Sequence, residues 1–240
     1  VSIVAALLLA TSVLLSWIAR SRRLERRWFD ARAVAESAKS LAWRYAVGAD
    51  PYPRSLAALE ADQRFVEDLR KTAAARPETA GLEAGHAAVR PQVSAAMRKM
   101  RSEDLATRRV GYVEERLLNQ ARWYAVKATW NERRDSALFY IIGGVQLGAV
   151  LIAICYAACR GRFWSPVATL ATLAAALLAW VKAKRFVDLS QSYGLAAQEL
   201  RNLETLAPHQ ATEESFSSWV QEVEGAISRE HTMWLARRGS

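Results

Sequence analysis

SALFYIIGGVQLGAVLIAICYAAC, residues Ser136–Cys159, carries no Asp, Glu, Lys or Arg. Crossing the hydrocarbon core of a bilayer takes roughly 20 predominantly apolar residues, so this stretch is long enough for one helical span. Outward from it lie two more runs of the same kind, WSPVATLATLAAALLAWV at Trp164–Val181 and the run Val1–Ala19. Nearly all 33 Lys and Arg and all 24 Asp and Glu fall between or after these runs. The mean hydropathy of −0.05 therefore averages two kinds of segment and describes neither. The pattern predicts an all-α integral membrane protein, with transmembrane helical hairpins and a cytoplasmic helical module. Five arginines, Arg20, Arg22, Arg23, Arg26 and Arg27, follow the first run instead of preceding it, and no small-x-small cleavage site with a polar flank is present, which argues for an anchor over a signal peptide.

Charge gives the expected orientation. Residues 20–135 hold 24 basic and 16 acidic side chains, whereas residues 182–240 hold 7 and 8. Basic residues crowd the ends of the runs at Arg20–Arg27, Arg133–Arg134 and Lys182–Arg185, which places those ends, and the C-terminus, on the cytoplasmic side. Arg160 and Arg162 oppose this but are outnumbered. Val1 then lies outside, which leads to the expectation of an earlier helix upstream.

A shift of 163 residues lays Val1–Ala19 on Trp164–Lys182, and brings Ala33 onto Ala196 and Glu36 onto Glu199. Farther on, Phe65-Val66-x-x-Leu69 has a counterpart in Trp219-Val220-x-x-Val223 with a slipped offset. The expected organisation is a span at 1–19 completing a truncated hairpin, cytoplasmic helices of a first copy at 20–76, a linker and short helix at 77–102, and a second copy at 103–240. That copy divides into a rod helix at 103–135, spans at 136–159 and 164–182, and C-terminal helices at 183–240. Within the module, helices are expected from about Glu25 to Val47, Pro53 to Ala75, Gln92 to Lys99 and Glu103 to Asp135, broken by Gly48 to Pro51 and by the polar stretch Pro77–Pro91.

The most patterned stretch is Tyr112–Asn131. Tyr112, Arg116, Gln120 and Tyr124 recur every four residues, and Trp123, Lys127 and Asn131 form an adjacent row, both on one side of a helix. Two readings are open: aromatic packing against the last helix, or a stacking and charge site for an anionic ligand. The last helix, Glu213–Leu235, is amphipathic through Phe216, Trp219, Val220, Val223, Ile227 and Trp234. Its Glu222, Glu230 and His231 are candidates to face Arg116, Lys127 or Arg134. Gly144 and Gly148 form a small-xxx-small pair and, with the amide of Gln146, are the candidate contacts of the membrane helices. No charged residue lies within a span, which weighs against an ion-coupled carrier. Cys155 and Cys159 read as small apolar residues, and His86, His209 and His231 are scattered. No phosphate loop, metal set or nucleophile elbow is found, so neither an enzyme, a cofactor, a metal nor a nucleic-acid partner is expected.

The spacing Tyr112-x3-Arg116-x3-Gln120-x2-Trp123-Tyr124-x2-Lys127-Ala128, followed by two spans and the ending Ser228-Arg229-Glu230-His231-x2-Trp234, resembles the SLATT superfamily of bacterial two-transmembrane domains in its tandem, four-span form. The resemblance covers residues 105–238, and Val1–Pro77 resembles a truncated first copy. It implies a bacterial inner-membrane effector of conflict or defence systems, one that perturbs the membrane or forms a pore. Its partners would be the lipid bilayer, further copies of itself, and a partner protein or nucleotide signal supplied elsewhere. The rival expectation is a membrane-anchored module whose basic segment binds anionic lipid or an acidic partner without catalysis.

Overall fold

The computed structural model describes residues 10–14, 16–17, 24–75, 91–159 and 166–238; the side chains of 24–30 and 229–238 lie outside the described set. Among the described residues there is no strand. The helices are α1 (Leu24–Val47), α2 (Ala58–Ala74), α3 (Ala95–Ser102), α4 (Leu105–Tyr112), a π-helical turn (Val113–Leu118), α5 (Asn119–Ala158), α6 (Val167–Lys184), α7 (Phe186–Leu206), a 3-10 turn (Ala207–His209) and α8 (Glu213–Arg238). The chain divides into two compact units, Val1–Val113 with Ala207–Ser240, and Glu114–Leu206.

In the first unit, α1 is the central element, with α2, α3, α4 and α8 all packed on it. Tyr45, Tyr52 and Phe65 form a triangle of rings with centroids 5.1 to 5.9 Å apart, closed by Ala61 and Val93. An α-helix leaves its last carbonyls without partners, and here two buried guanidinium groups answer them. Arg101 donates through Nη1 to the carbonyls of Tyr45 (3.1 Å) and Tyr52 (2.7 Å), and through Nη2 to that of Pro53 (2.8 Å). Arg108 donates to the carbonyl of Val47 and pairs with Glu213 of α8. This explains a departure from expectation: α2 starts at Ala58 and not at Pro53, because the carbonyls of Tyr52 and Pro53 are committed to Arg101 and residues 50–57 stay as turns. The two short helices are capped as their sequences allow. Ser94 Oγ accepts from the Met97 amide (3.2 Å), and Asp104 accepts from the Thr107 amide (2.9 Å).

The second unit is a hairpin with a returning helix. Helix α5 packs on α6 and on α7. From Ser136 to Ala158, α5 extends about 34 Å at roughly 1.5 Å per residue, enough to cross the hydrocarbon core. Helix α6 ends where Arg185 takes a left-handed conformation (φ 52°), and Phe186 then opens α7 as a buried side chain. Helix α7 runs antiparallel to the lower part of α5, with Ser190 Oγ donating to the carbonyl of Ala128 (3.0 Å) and Tyr193 stacked on Tyr124.

Burial separates the two environments. Phe216, Val220 and Val223 of α8 are fully buried, whereas Phe139, Tyr140, Leu147 and Ile154 of α5 are each more than 60 % or at 60 % exposed. In the most apolar stretches of the helical runs Leu105–Ala158 and Val167–His209, only 11 % and 6 % is buried inside the molecule. Apolar surface left uncovered over two helices this long is favourable only in lipid. The expected span at 1–19 lies largely outside the described residues; its residues 10–14 and 16–17 are helical and exposed.

Gly48 is needed where it stands. It has φ +71°, and a Cβ there would lie 2.8 Å from Arg54 Cγ. Gly48→Ala is expected to destabilise the first unit by about 1–2 kcal/mol from the backbone alone, more if Arg54 cannot move, measured as a lowered thermal midpoint in detergent.

Candidate functional site

Tyr112 is fully buried at the end of α4. Its ring meets Trp43 (5.8 Å), Phe216 (6.4 Å) and Trp219 (5.6 Å), all edge-on. Its hydroxyl donates to Glu224 Oε1 at 2.8 Å, and Glu224 is itself 1 % exposed. Helix α8 is tied on a second flank, where the Asp50 amide donates to Ser217 Oγ (2.9 Å) and Gln221 Nε2 donates to Asp50 Oδ2 (3.3 Å). The acid of α8 that the sequence pattern singles out is Glu222, which is exposed; Glu224 is the buried one. The missing signal was available: Glu224 stands four residues after Val220 and three before Ile227, so it shares their buried row.

The four-residue row beginning at Tyr112 does not stay on one surface. Tyr112 belongs to the first unit, while Arg116, Gln120, Trp123, Tyr124 and Lys127 belong to the second. The π-helical turn at Val113–Leu118 lies between them, and its wider hydrogen-bonding interval shifts the register that an unbroken α-helix would keep. In the second unit Arg116 and Tyr124 are buried, and Gln120, Trp123 and Lys127 are half-buried. Tyr193 stacks on Tyr124 (5.9 Å, 26°) and meets Trp123 edge-on (5.6 Å, 78°), so these faces are occupied by the chain itself. A planar ligand stacking on Tyr124 would have to displace Tyr193. Lys127 Nζ lies over both Trp123 (5.7 Å) and Trp130 (5.5 Å), and Arg134 lies over Trp130 at 4.5 Å. Glu230 and His231 fall among the side chains outside the described set.

In the hairpin, Ile142, Ala149 and Ala174 are the buried contacts. At about 100° per residue, Gly144 and Gly148 lie roughly 40° apart on the helix, while Gln146 lies about 160–200° from them. The three candidate contact residues therefore occupy two faces, not one. A Cβ added at Gly144 or Gly148 would meet nothing within 4 Å outside the helix's own backbone, so this small-residue face is not used between α5 and α6. Cys155 and Cys159 are free and exposed. Among the described residues no group of His, Cys, Asp and Glu could hold a metal ion.

A family model described as SMODS and SLOG-associating 2TM effector domain 1 matches residues 112–234, just over half of the chain. The chain belongs to the SLATT superfamily. A second model of that superfamily, SMODS and SLOG-associating 2TM effector domain 3, matches residues 1–109, so two SLATT domains stand in tandem. No match was found among curated proteins or among solved structures. The tandem match fits the internal repeat: Ala33 and Val34 of the first SLATT domain and Ala196 and Ala197 of the second, related by the same shift of 163 residues, are all buried. The two domains are interleaved, since α8 falls within the second SLATT match yet packs in the unit formed by the helices of the first.

Two predictions follow from these contacts. Tyr112→Phe removes a buried hydrogen bond to a carboxylate and is expected to cost about 1–3 kcal/mol, read as a lower denaturation midpoint of the detergent-solubilised protein. The second concerns pH. Burial, with Asp62 accepting its hydrogen bond, pushes the Tyr45 hydroxyl up to about 12. Burial works against the Asp62 carboxylate, but Tyr45 and Arg98 (2.7 Å) outweigh it and hold Asp62 below its ordinary value. The Tyr45 contribution is full below pH 10 and lost as pH rises through about 12. The Asp62 contribution is present above the ordinary carboxylate range and lost as pH falls through its lowered value. Thermal midpoints should decline at both extremes, and Tyr45→Phe should flatten the alkaline limb.

Proposed function

We propose that this SLATT protein is an effector of a bacterial conflict or defence system that sits in the inner membrane, assembles with further copies of itself through its hairpins, and permeabilises the bilayer when its helical module is engaged. The module and the C-terminus lie in the cytoplasm, in keeping with the basic residues at Arg133–Arg134 and Lys182–Arg185. No catalysis is involved; the trigger comes from a partner protein or nucleotide signal supplied elsewhere.

The observation that carries this reading is the state of the hairpin surface. Two helices alone leave the Gly144–Gly148 face open, and such faces let helix backbones approach closely in lipid. On a different face the Gln146 amide is exposed and, among the described residues, makes no hydrogen bond within the chain. An amide at membrane depth is costly unless it is paired. Contact between copies on both faces would close the small-residue seam and satisfy the amide, and two contact faces per hairpin are what a ring of copies requires.

The test is release of an entrapped dye from liposomes carrying the full chain, over a range of protein-to-lipid ratios. At high ratio mass action drives assembly without the trigger, so leakage should rise steeply with that ratio. Gly144→Leu with Gly148→Leu should reduce it by about tenfold or more, equivalent to losing at least about 1.4 kcal/mol of association, while leaving insertion intact. Tight liposomes at every ratio would contradict the proposal.

A further inference from the structure

Below the spans, α5 and α7 meet along one seam, marked by Tyr124 stacked on Tyr193. Each helix therefore keeps an outer face, and the two outer faces carry matching patterns. On α5, Arg122, Val126 and Arg133 lie within about 40° of one another, and Val126 stands about 160° around the helix from Tyr124. On α7, Asp188, Leu195 and Glu199 likewise lie within about 40°, and Leu195 stands about 160° from Tyr193. The spacings agree in opposite chain order: four and seven residues from Arg122 through Val126 to Arg133, and four and seven from Glu199 through Leu195 to Asp188. The helices are antiparallel, so both series climb towards the membrane together. One side of the pair presents cation, apolar, cation; the other presents acid, apolar, acid.

The apolar members stand where lipid does not cover them. Val126 lies ten residues before Ser136, about 15 Å from the start of the uncharged run. It is 61 % exposed and Leu195 64 %, with Trp130 and Val187 exposed beside them. Arg122 and Arg133 are exposed and form no ion pair among the described residues. Asp188 is engaged by Arg185 at 2.7 Å, but both side chains are about half exposed, and a surface pair of that kind is weak enough to be shared. The two faces point away from each other, so a chain cannot bring its own series together, whereas a second copy in the same membrane can. The hydrogen bond from Ser190 to the carbonyl of Ala128 places Leu195 level with Trp123, three residues from Val126, and the same offset separates Glu199 from Arg122 and Asp188 from Arg133. A rise of about 4.5 Å across two helices, each about 10 Å wide, is a tilt of about 13°, within the ordinary range for membrane helices. Gly144 follows Val126 by five helical turns and lies on the same side of α5, so the open small-residue face in the membrane and this face are one line.

We propose that the α5 face of Arg122, Val126 and Arg133 docks head to tail on the α7 face of Asp188, Leu195 and Glu199 in a second copy of this chain. Every copy carries one face of each kind, so the contact repeats until a ring closes. This rests on the reading that copies assemble through their hairpins in one membrane, and not on permeabilisation.

The test is disulfide linkage in the full chain with its own cysteines replaced (Cys155→Ser, Cys159→Ser). Val126→Cys and Leu195→Cys are made in separate chains, reconstituted together in liposomes and oxidised. The mixture should give linked dimers on a non-reducing gel, each variant alone should give few, and a chain carrying both substitutions should give a ladder. Arg133→Asp in the Val126→Cys chain should lower the dimer yield by about fivefold or more. Asp188→Arg in the other chain should restore it, which a merely structural role within one chain would not. Linkage of Val126→Cys to itself as readily as to Leu195→Cys marks a like-to-like contact and overturns the proposal. Absence of linkage in liposomes that leak dye overturns it too and leaves permeabilisation standing; linkage in liposomes that stay tight supports the contact and contradicts permeabilisation.

Discussion

Everything in this molecule depends on two long helices whose apolar side chains the protein does not cover. In water, the exposed faces of α5 and α6 would be a large unfavourable surface; in hydrocarbon they cost nothing, and the helical backbone satisfies its own polar groups. The contrast with α8 makes the point. Phe216, Trp219, Val220 and Val223 are as apolar as the residues of α5, yet they are buried to within 3 % exposure, because that helix lives among protein. Where protein supplies the cover, charged residues are recruited to satisfy what the packing leaves over, as Arg101 and Arg108 do for the carbonyls at the end of α1.

The tandem domains do not fold as two beads. Helix α8 comes from the second SLATT match but is clamped to elements of the first by Arg108 with Glu213, Asp50 with Ser217, and Tyr112 with Glu224. Both α2 and α8, the counterparts in the repeat, pack on the same α1. A cut between the two matches would therefore strand a helix from its partners and expose the Tyr112 and Glu224 pair to water.

The membrane class, the hairpin and the amphipathic last helix were legible in the sequence because each is written in residues close together. A span needs only an uncharged run, and a packed helix only a 3.6-residue period. The clamps were not legible, because Arg101 and Arg108 reach acceptors about fifty or more positions away and nothing near them in sequence marks that reach. The start of α2 at Ala58 depends on the same long reach, through the carbonyls of Tyr52 and Pro53. The candidate row from Tyr112 to Lys127 is visible as a period, but the π-helical turn that breaks it contains neither Pro nor Gly to mark it, and the row divides between the units. The hairpin glycines were legible as a pair; that Gln146 lies on another face follows only when the angles are counted.

The native cysteines give the most direct measurement of the central claim, that α5 lies in lipid. Cys155 is exposed on the hairpin, three residues inside the end of α5. In Cys159→Ser protein held in native membranes, a water-soluble maleimide should leave Cys155 unlabelled until detergent or denaturant is added, because a reagent confined to water does not reach a side chain in hydrocarbon. Prompt labelling of Cys155 in intact membranes, at the rate of a free thiol in water, would contradict the account.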